Sequence, residues 1–310
     1  TDLRRAIDGT AAAGVLYPCW YPPARDLTGY SGMLAQLKAA AAAAAPDTLR
    51  IDAIAISCFV DELFLPQGWR SYSDRLLELI EALRADIPTI AGCSLGSIRG
   101  DSGKTPIALI EPHGEFTGLT ASQKARLLAM RSQVRDLISE DERIYTVPTQ
   151  TFTCVSGGKY LDAASMVALA TSTAAAFYIP TSSSDATLPE AALSLIISDS
   201  ILDGTGVPPW PSQYNSALTG AFIWNPYAGE FQTLQPGVNN LSSVNLLGFE
   251  SPWAEHMKGA FGEAWIVKTT MYSSYIVANR TVMPAAFPPV LDVWRKDWDP
   301  ATRRGMFDYA

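Results

Sequence analysis

The residues of this chain best spaced for chemistry are Gly92-Cys93-Ser94-Leu95-Gly96, a Gly-x-Ser-x-Gly run. Small residues around a serine permit a strained strand-to-helix turn that lifts the hydroxyl clear of a sheet, where a base can activate it for acyl transfer. A downstream acid and histidine would complete the set. His256 is the better placed of the only two histidines, with Asp203 or Asp199 as acid. His113, in Glu111-Pro112-His113-Gly114, comes too soon after the serine for that order and reads as a loop histidine. The residues beyond Ser94 argue against the set: Gly100, Gly103 and Pro106 fall where the helix carrying an oxyanion donor would have to build. The run reads better as a tight exit turn from a strand, and Ser94 is not expected to be a nucleophile.

The other short motifs are weaker. Gly100-Asp-Ser-Gly103-Lys104-Thr105 ends like a phosphate-binding loop, but its first glycine stands too close to Gly103, and Thr105-Pro106 continues into a strand-like run. Asn279-Arg280-Thr281 fits a glycosylation acceptor, which matters only in a secreted chain. Two histidines and no clustered carboxylates leave no metal site to expect, and no cofactor is expected. Cys19, Cys58, Cys93 and Cys154 form no Cys-x-x-Cys pair and read as buried free thiols beside apolar or small neighbours.

With 31 acidic against 23 basic residues, the net charge of −8 is wrong for a protein that grips phosphates, so direct nucleic-acid binding is not expected. Arg295-Lys296 and Arg303-Arg304 are interleaved with Asp292, Asp297, Asp299 and Asp308, a self-compensated surface. The longest low-polarity run, Ala39 to Ala45, is too short to span a bilayer, and Gly9, Gly14 and Pro18 interrupt the N-terminal segment before a signal-like core forms. A soluble protein with no membrane partner is expected.

The elements that must position these residues alternate. Tyr30 to Ala45 predicts a helix ended by Pro46, and Ile51 to Phe59 a buried strand. A helix is expected from Ser73 to Leu83, then short strands at Ile87 to Ala91 and Ile107 to Ile110. Ala121 to Ile138 predicts an amphipathic helix, and Arg143 to Val147 another strand. Leu161 to Phe177 and Pro189 to Leu202 read as helices, the second stopped by Asp203-Gly204. The prolines of Val207-Pro-Pro-Trp-Pro211 cannot continue regular structure and suggest a soft boundary. The reading is an α/β core over 1–206, a mixed sheet flanked by helices. A smaller β-rich, aromatic and proline-rich part covers 207–310, including a helix or helix–strand pair over Trp253 to Asn279.

Within that second part, Ala221-Phe-Ile-Trp224, the turn formers Asn225 to Gly229, and Phe231 to Leu234 predict a hairpin running into Pro236-Gly237. The stretch resembles the region of contractile-tail sheath proteins in which a strand, a turn glycine and a second strand lead into a Gly-[Val/Ile]-Asn-Thr-Leu-like signature. Here that signature is Gly237-Val238-Asn239-Asn240-Leu241. Arg143 to Pro148, then the Ala-rich Leu161 to Ala176, then the polar Thr181 to Leu188, is similar to the sheath order of strand, helix and turn. The resemblance implies a non-enzymatic virion protein assembled in the host cytoplasm. It would be a homopolymer of identical subunits around a tail-tube protein, joined by strands donated to open sheet edges. Trp224, Gly229, Gly237, Val238, Asn239 and Leu241 are then the assembly candidates. Tryptophans in apparent loops, such as Trp20, Trp69, Trp210 and Trp294, suit either intersubunit contact or packing on the chain's own core. Two alternatives remain: an icosahedral virus capsid (coat) protein, and an α/β-hydrolase-like serine esterase using Ser94, His256 and Asp203.

Overall fold

The computed structural model describes residues 29–57, 72–98, 104–112, 119–155, 160–177, 191–198, 210–226, 228–239, 247–270, 296–299 and 304–306. Five helices occur among them: α1 (Gly29–Ala44), α2 (Tyr72–Asp86), α3 (Ala121–Glu140), α4 (Ala163–Ala176) and α5 (Glu250–Phe261). The first strands are β1 (Leu49–Ser57), β2 (Cys93–Leu95), β3 (Ile107–Ile110) and β4 (Ile144–Val147). A small antiparallel pair, β5 (Cys154–Val155) and β6 (Tyr160–Leu161), precedes α4. Then come β7 (Ala191–Ser198), β8 (Ala221–Asn225), β9 (Glu230–Thr233), β10 (Glu263–Thr270), and a second separate pair, β11 (Lys296–Asp299) with β12 (Arg304–Met306).

Eight strands make one mixed sheet in the order β4-β3-β1-β7-β10-β8-β9, with β2 beside the first part of β1. Every pairing in it is parallel except the β8–β9 hairpin. The expected α/β class, a mixed sheet flanked by helices, is what is observed. Strands from both sides of residue 207 share this sheet, because β10 pairs with β7 on one side and β8 on the other.

The central strands are nearly all apolar because both of their faces are covered. In β1 every residue but Arg50 is buried, and all four residues of β3 are. Side-chain alternation separates the two layers. Ser194 of β7 accepts from Trp253 Nε1 of α5, and its register partner Ile266 shares that face with Lys268, which meets Glu250 of α5. Tyr145 of β4 meets Phe177 at the end of α4 edge-on, and Phe177 meets Trp253, so α4 and α5 cover this side. On the other side, Cys93 points its thiol at the Leu37 carbonyl of α1, and α1 packs along β1, β2, β9 and β10. The third layer component is the α2–α3 pair, fastened where Ser73 meets Gln133 and where Arg84 meets Asp141.

Local signals fix the helix starts. Thr120 caps α3 in a reciprocal box with Gln123, and Asp162 Oδ1 accepts from Ser165 N at 2.7 Å at the head of α4. Such caps contribute about 1 kcal/mol each.

Two expected elements are corrected. Pro189 to Leu202 is not a helix: Ala191–Ser198 is a strand whose position between β1 and β10 buries both faces, and β-branched Ile196 and Ile197 suit it. Ile87 to Ala91 is not a strand either: Pro88 lies in a 3₁₀ turn over Ile87–Thr89, and pairing with β1 begins only at Cys93. The helix–strand alternative for Trp253 onward is the one observed, as α5 and β10.

Candidate functional site

The β8–β9 hairpin sits at one margin of the sheet, and β9 is the outermost strand there. Its turn is built by Asn225, whose Oδ1 accepts from Ala228 N at 3.2 Å, whose Nδ2 donates to Gln232 Oε1 at 2.9 Å, and whose carbonyl accepts from Gly229 N at 2.9 Å. Gly229 takes φ +68° in open space, a left-handed conformation that a side chain would strain. Leu234 N donates to Ala221 O, which fixes the ladder: Gln232 and Glu230 turn their backbone groups toward β8, whereas those of Phe231 and Thr233 point away from it. The Thr233 carbonyl accepts from Asn239 Nδ2 at 2.9 Å.

One face of this margin is aromatic. Trp265 of β10 stacks on Phe222 with centroids 4.4 Å apart, Phe231 meets Trp265 edge-on at 4.9 Å, and Trp224 meets Phe231 at 5.3 Å. Trp224 is thus buried within the chain itself. The residues after the hairpin close on themselves: Gly237 has φ +72°, and the N–H groups of Val238 and Asn239 both donate to Gln235 O. Asn239 Oδ1 accepts in return from Gln235 N at 2.7 Å. Of the assembly candidates, Trp224, Gly229, Gly237, Val238 and Asn239 therefore shape one local unit, and Leu241 lies outside the described residues.

The serine set is placed differently. Ser94 is in the middle of β2, in register with Arg50 of β1, and no helix occurs among the described residues between it and β3. Gly96, just beyond, is required by close approach: a Cβ there would lie 2.6 Å from Asp52 Oδ1. His256 is on α5, its Nε2 3.0 Å from Thr171 Oγ1 of α4. That hydroxyl donates its proton to Val167 O, so the ring nitrogen is the donor to Thr171, which assigns the Nε2–H tautomer. Burial lowers the His256 pKa, with Glu255 opposing, and the ring is neutral at pH 7. Asp199, Asp203 and His113 lie outside the described residues. Cys93 is the buried thiol expected, pushed up to about 11 by desolvation, whereas Cys154 is only half-buried, its thiol directed at the Phe152 carbonyl.

Sequence reasoning misses the buried charged groups. Lys268 and Glu250, both fully buried, pair at 2.7 Å between β10 and the first turn of α5. Glu111, at the end of β3, takes both arms of Arg135 at 2.6 and 2.9 Å and the Gln150 amide besides. Asp52 accepts from Arg50 Nε and from Leu193 N at an irregularity between β1 and β7, and burial raises its pKa against the opposing pull of Arg50. A signal existed for the first: Lys268 interrupts the strand run Ala264 to Val267, and a cation inside a strand covered on both faces needs a buried partner.

Glu111, Glu250 and Lys268 lie toward the C-terminal ends of parallel strands, the edge at which α/β sheets commonly hold ligands. There each is matched by an opposite charge of the chain itself. Among the described residues no three His, Cys, Asp or Glu side chains are grouped to hold a metal, and no helix is long and apolar enough to cross a membrane. Compared with protein-family models, curated proteins and solved structures, the chain matches none.

Proposed function

We propose that this chain is a structural subunit that assembles with identical copies into a repeating protein coat, in the manner of a contractile-tail sheath around a tube protein. The observation that carries the reading is the margin at β9. Its outward Phe231 N–H, Phe231 C=O and Thr233 N–H have no strand against them among the described residues. A sheet edge of this kind is completed by an added strand, which contributes main-chain hydrogen bonds without requiring a charged or basic surface. The aromatic cluster supports the reading, because Phe231 anchors the edge strand to Trp224 of β8 and Trp265 of β10. Strand β4 followed by the Ala-rich helix α4 supports it as well, being the first two steps of the sheath-like order of strand, helix and polar turn; the turn, Thr181 to Leu188, lies outside the described residues.

Electron microscopy of the purified full chain tests it. Striated tubes are the expected outcome. Closed shells would replace the sheath with a capsid, and particles that never exceed a few subunits would overturn the coat reading altogether.

A further inference from the structure

We infer that β9 of the unassembled chain pairs antiparallel with β9 of a second copy, about a two-fold axis that passes between the two Phe231 residues. The inference rests on reading β9 as an edge that an added strand completes, and it names that strand. Glu230 turns its N–H toward β8, so the Gly229 carbonyl, on the other side of the same trans peptide, points outward. The groups open along the edge are therefore the Gly229 C=O, the Phe231 N–H and C=O, and the Thr233 N–H, none of which has a partner among the described residues. Two groups that a regular ladder would also use are spent inside the chain. Gly229 N–H donates to Asn225 O at 2.9 Å, and Thr233 O accepts from Asn239 Nδ2 at 2.9 Å.

In an antiparallel ladder, the residues of a bonded pair exchange both of their N–H···O bonds. A two-fold axis at Phe231 sets Phe231 against Phe231 of the second copy and Thr233 against its Gly229. The Phe231 pair makes both bonds. In the Thr233–Gly229 pairs, Thr233 N–H meets the open Gly229 C=O, and the bond left out is the one between Gly229 N–H and Thr233 C=O, the two groups already spent. An unrelated strand would bring a C=O up to Gly229 N–H and an N–H up to Thr233 C=O and leave both without a ladder partner, a cost that a second β9 avoids. The edge is thus complementary to itself, which an isologous contact requires. The side chains agree with it. Phe231 meets Phe231 on the aromatic face, Thr233 lies opposite a glycine, and on the other face Glu230 stands opposite Gln232, whose amide already donates to Glu230 within the chain at 3.0 Å. The hairpin turn at one end and Asn239 at the other confine the contact to 229–233, so the pairing is weak and concentration-dependent.

Sedimentation velocity of the full chain over a concentration series, kept below the onset of larger polymers, tests the pairing apart from the coat. The wild type is expected to pass from monomer to dimer. Thr233→Pro removes a donor on both sides of the axis without touching a ladder bond to β8, so it should weaken pairing by about tenfold or more at an unchanged melting temperature. Cross-linking reads the register. Residues 230 and 232 of opposite copies would stand about 4.5 Å apart between Cα atoms, within disulfide reach, whereas 230 with 230 and 232 with 232 are diagonal neighbours at about 7–8 Å. A mixture of Glu230→Cys and Gln232→Cys chains should therefore cross-link on mild oxidation, and either variant alone no more than the wild type does. Monomer at every concentration, unchanged affinity in Thr233→Pro, or a mixture that cross-links no better than its separate components would each overturn the pairing, whatever is seen of tubes. Dimers without tubes would uphold it and count against the coat alone.

Discussion

Lys268 Nζ donates to Glu250 Oε2 at 2.7 Å with both side chains fully buried, fastening the first turn of α5 to strand β10. The two are eighteen residues apart, and neither finds water. The pair therefore sets the register of α5 over the sheet, at a desolvation cost that the partner's charge offsets. The positive end of the helix beside Glu250 adds to the match.

Removing one member should be far worse than removing the charge of both. Lys268→Met leaves a buried carboxylate without its lysine and is expected to lower stability by roughly 3–5 kcal/mol, whereas Lys268→Met with Glu250→Gln should recover at least half of that. Urea denaturation of the two variants checks it. Equal losses would show that the lysine acts through packing alone.

Another buried carboxylate, that of Asp141, sets an acid limit. Burial pushes the Asp141 pKa up, but the Arg143 N–H, Lys104 and Arg84 outweigh it and hold the group below its ordinary value of 3.8. A carboxylate with a lowered folded pKa stabilises the fold above its unfolded pKa, and that contribution is lost as pH falls through the folded value. Lys104 is mostly exposed and contributes little. Asp141→Asn should therefore cost about 2 kcal/mol at neutral pH, with the difference from wild type closing as the pH drops below 3.8. Thermal melts from pH 7 to pH 2.5 would show a constant gap if the aspartate were only a spacer.

The elements legible in the sequence are those whose signals are local. The helix α3 begins at a Thr120–Gln123 box, α1 stops just before Pro46, and the hairpin is punctuated by Asn225 and Gly229. The run Ala191 to Ser198 reads as helix in sequence because an apolar stretch of that length lacks a period, and only its neighbours β1 and β10 make it a strand. The site is less legible still. Trp224 suits an exposed anchor by its residue type, yet Phe231 and its other neighbours bury it, and Lys268 finds Glu250 only once α5 folds back over the sheet.

For Ser94, the expectation is chemical silence. It is held in β2 by its pairing beside Arg50, and His256 spends its Nε2–H on Thr171 of α4. Incubation with a fluorophosphonate should leave the chain unlabelled. Stoichiometric labelling abolished by Ser94→Ala would restore the esterase alternative.

The proposed assembly edge can be separated from the turn beside it by where proline is placed. Val238 N–H is already donated to Gln235 O within the chain, so Val238→Pro should loosen the turn that Asn239 closes and lower the melting temperature. Thr233 N–H instead points outward from the last strand, away from β8. Proline is tolerated on that side of an edge strand because no ladder bond within the chain is lost. Thr233→Pro should therefore leave melting nearly unchanged while removing one donor that an added strand would need, and tubes should become shorter or disappear in negative stain. Wild-type tubes from Thr233→Pro, alongside an unaltered melt, would mean that subunits do not join at β9.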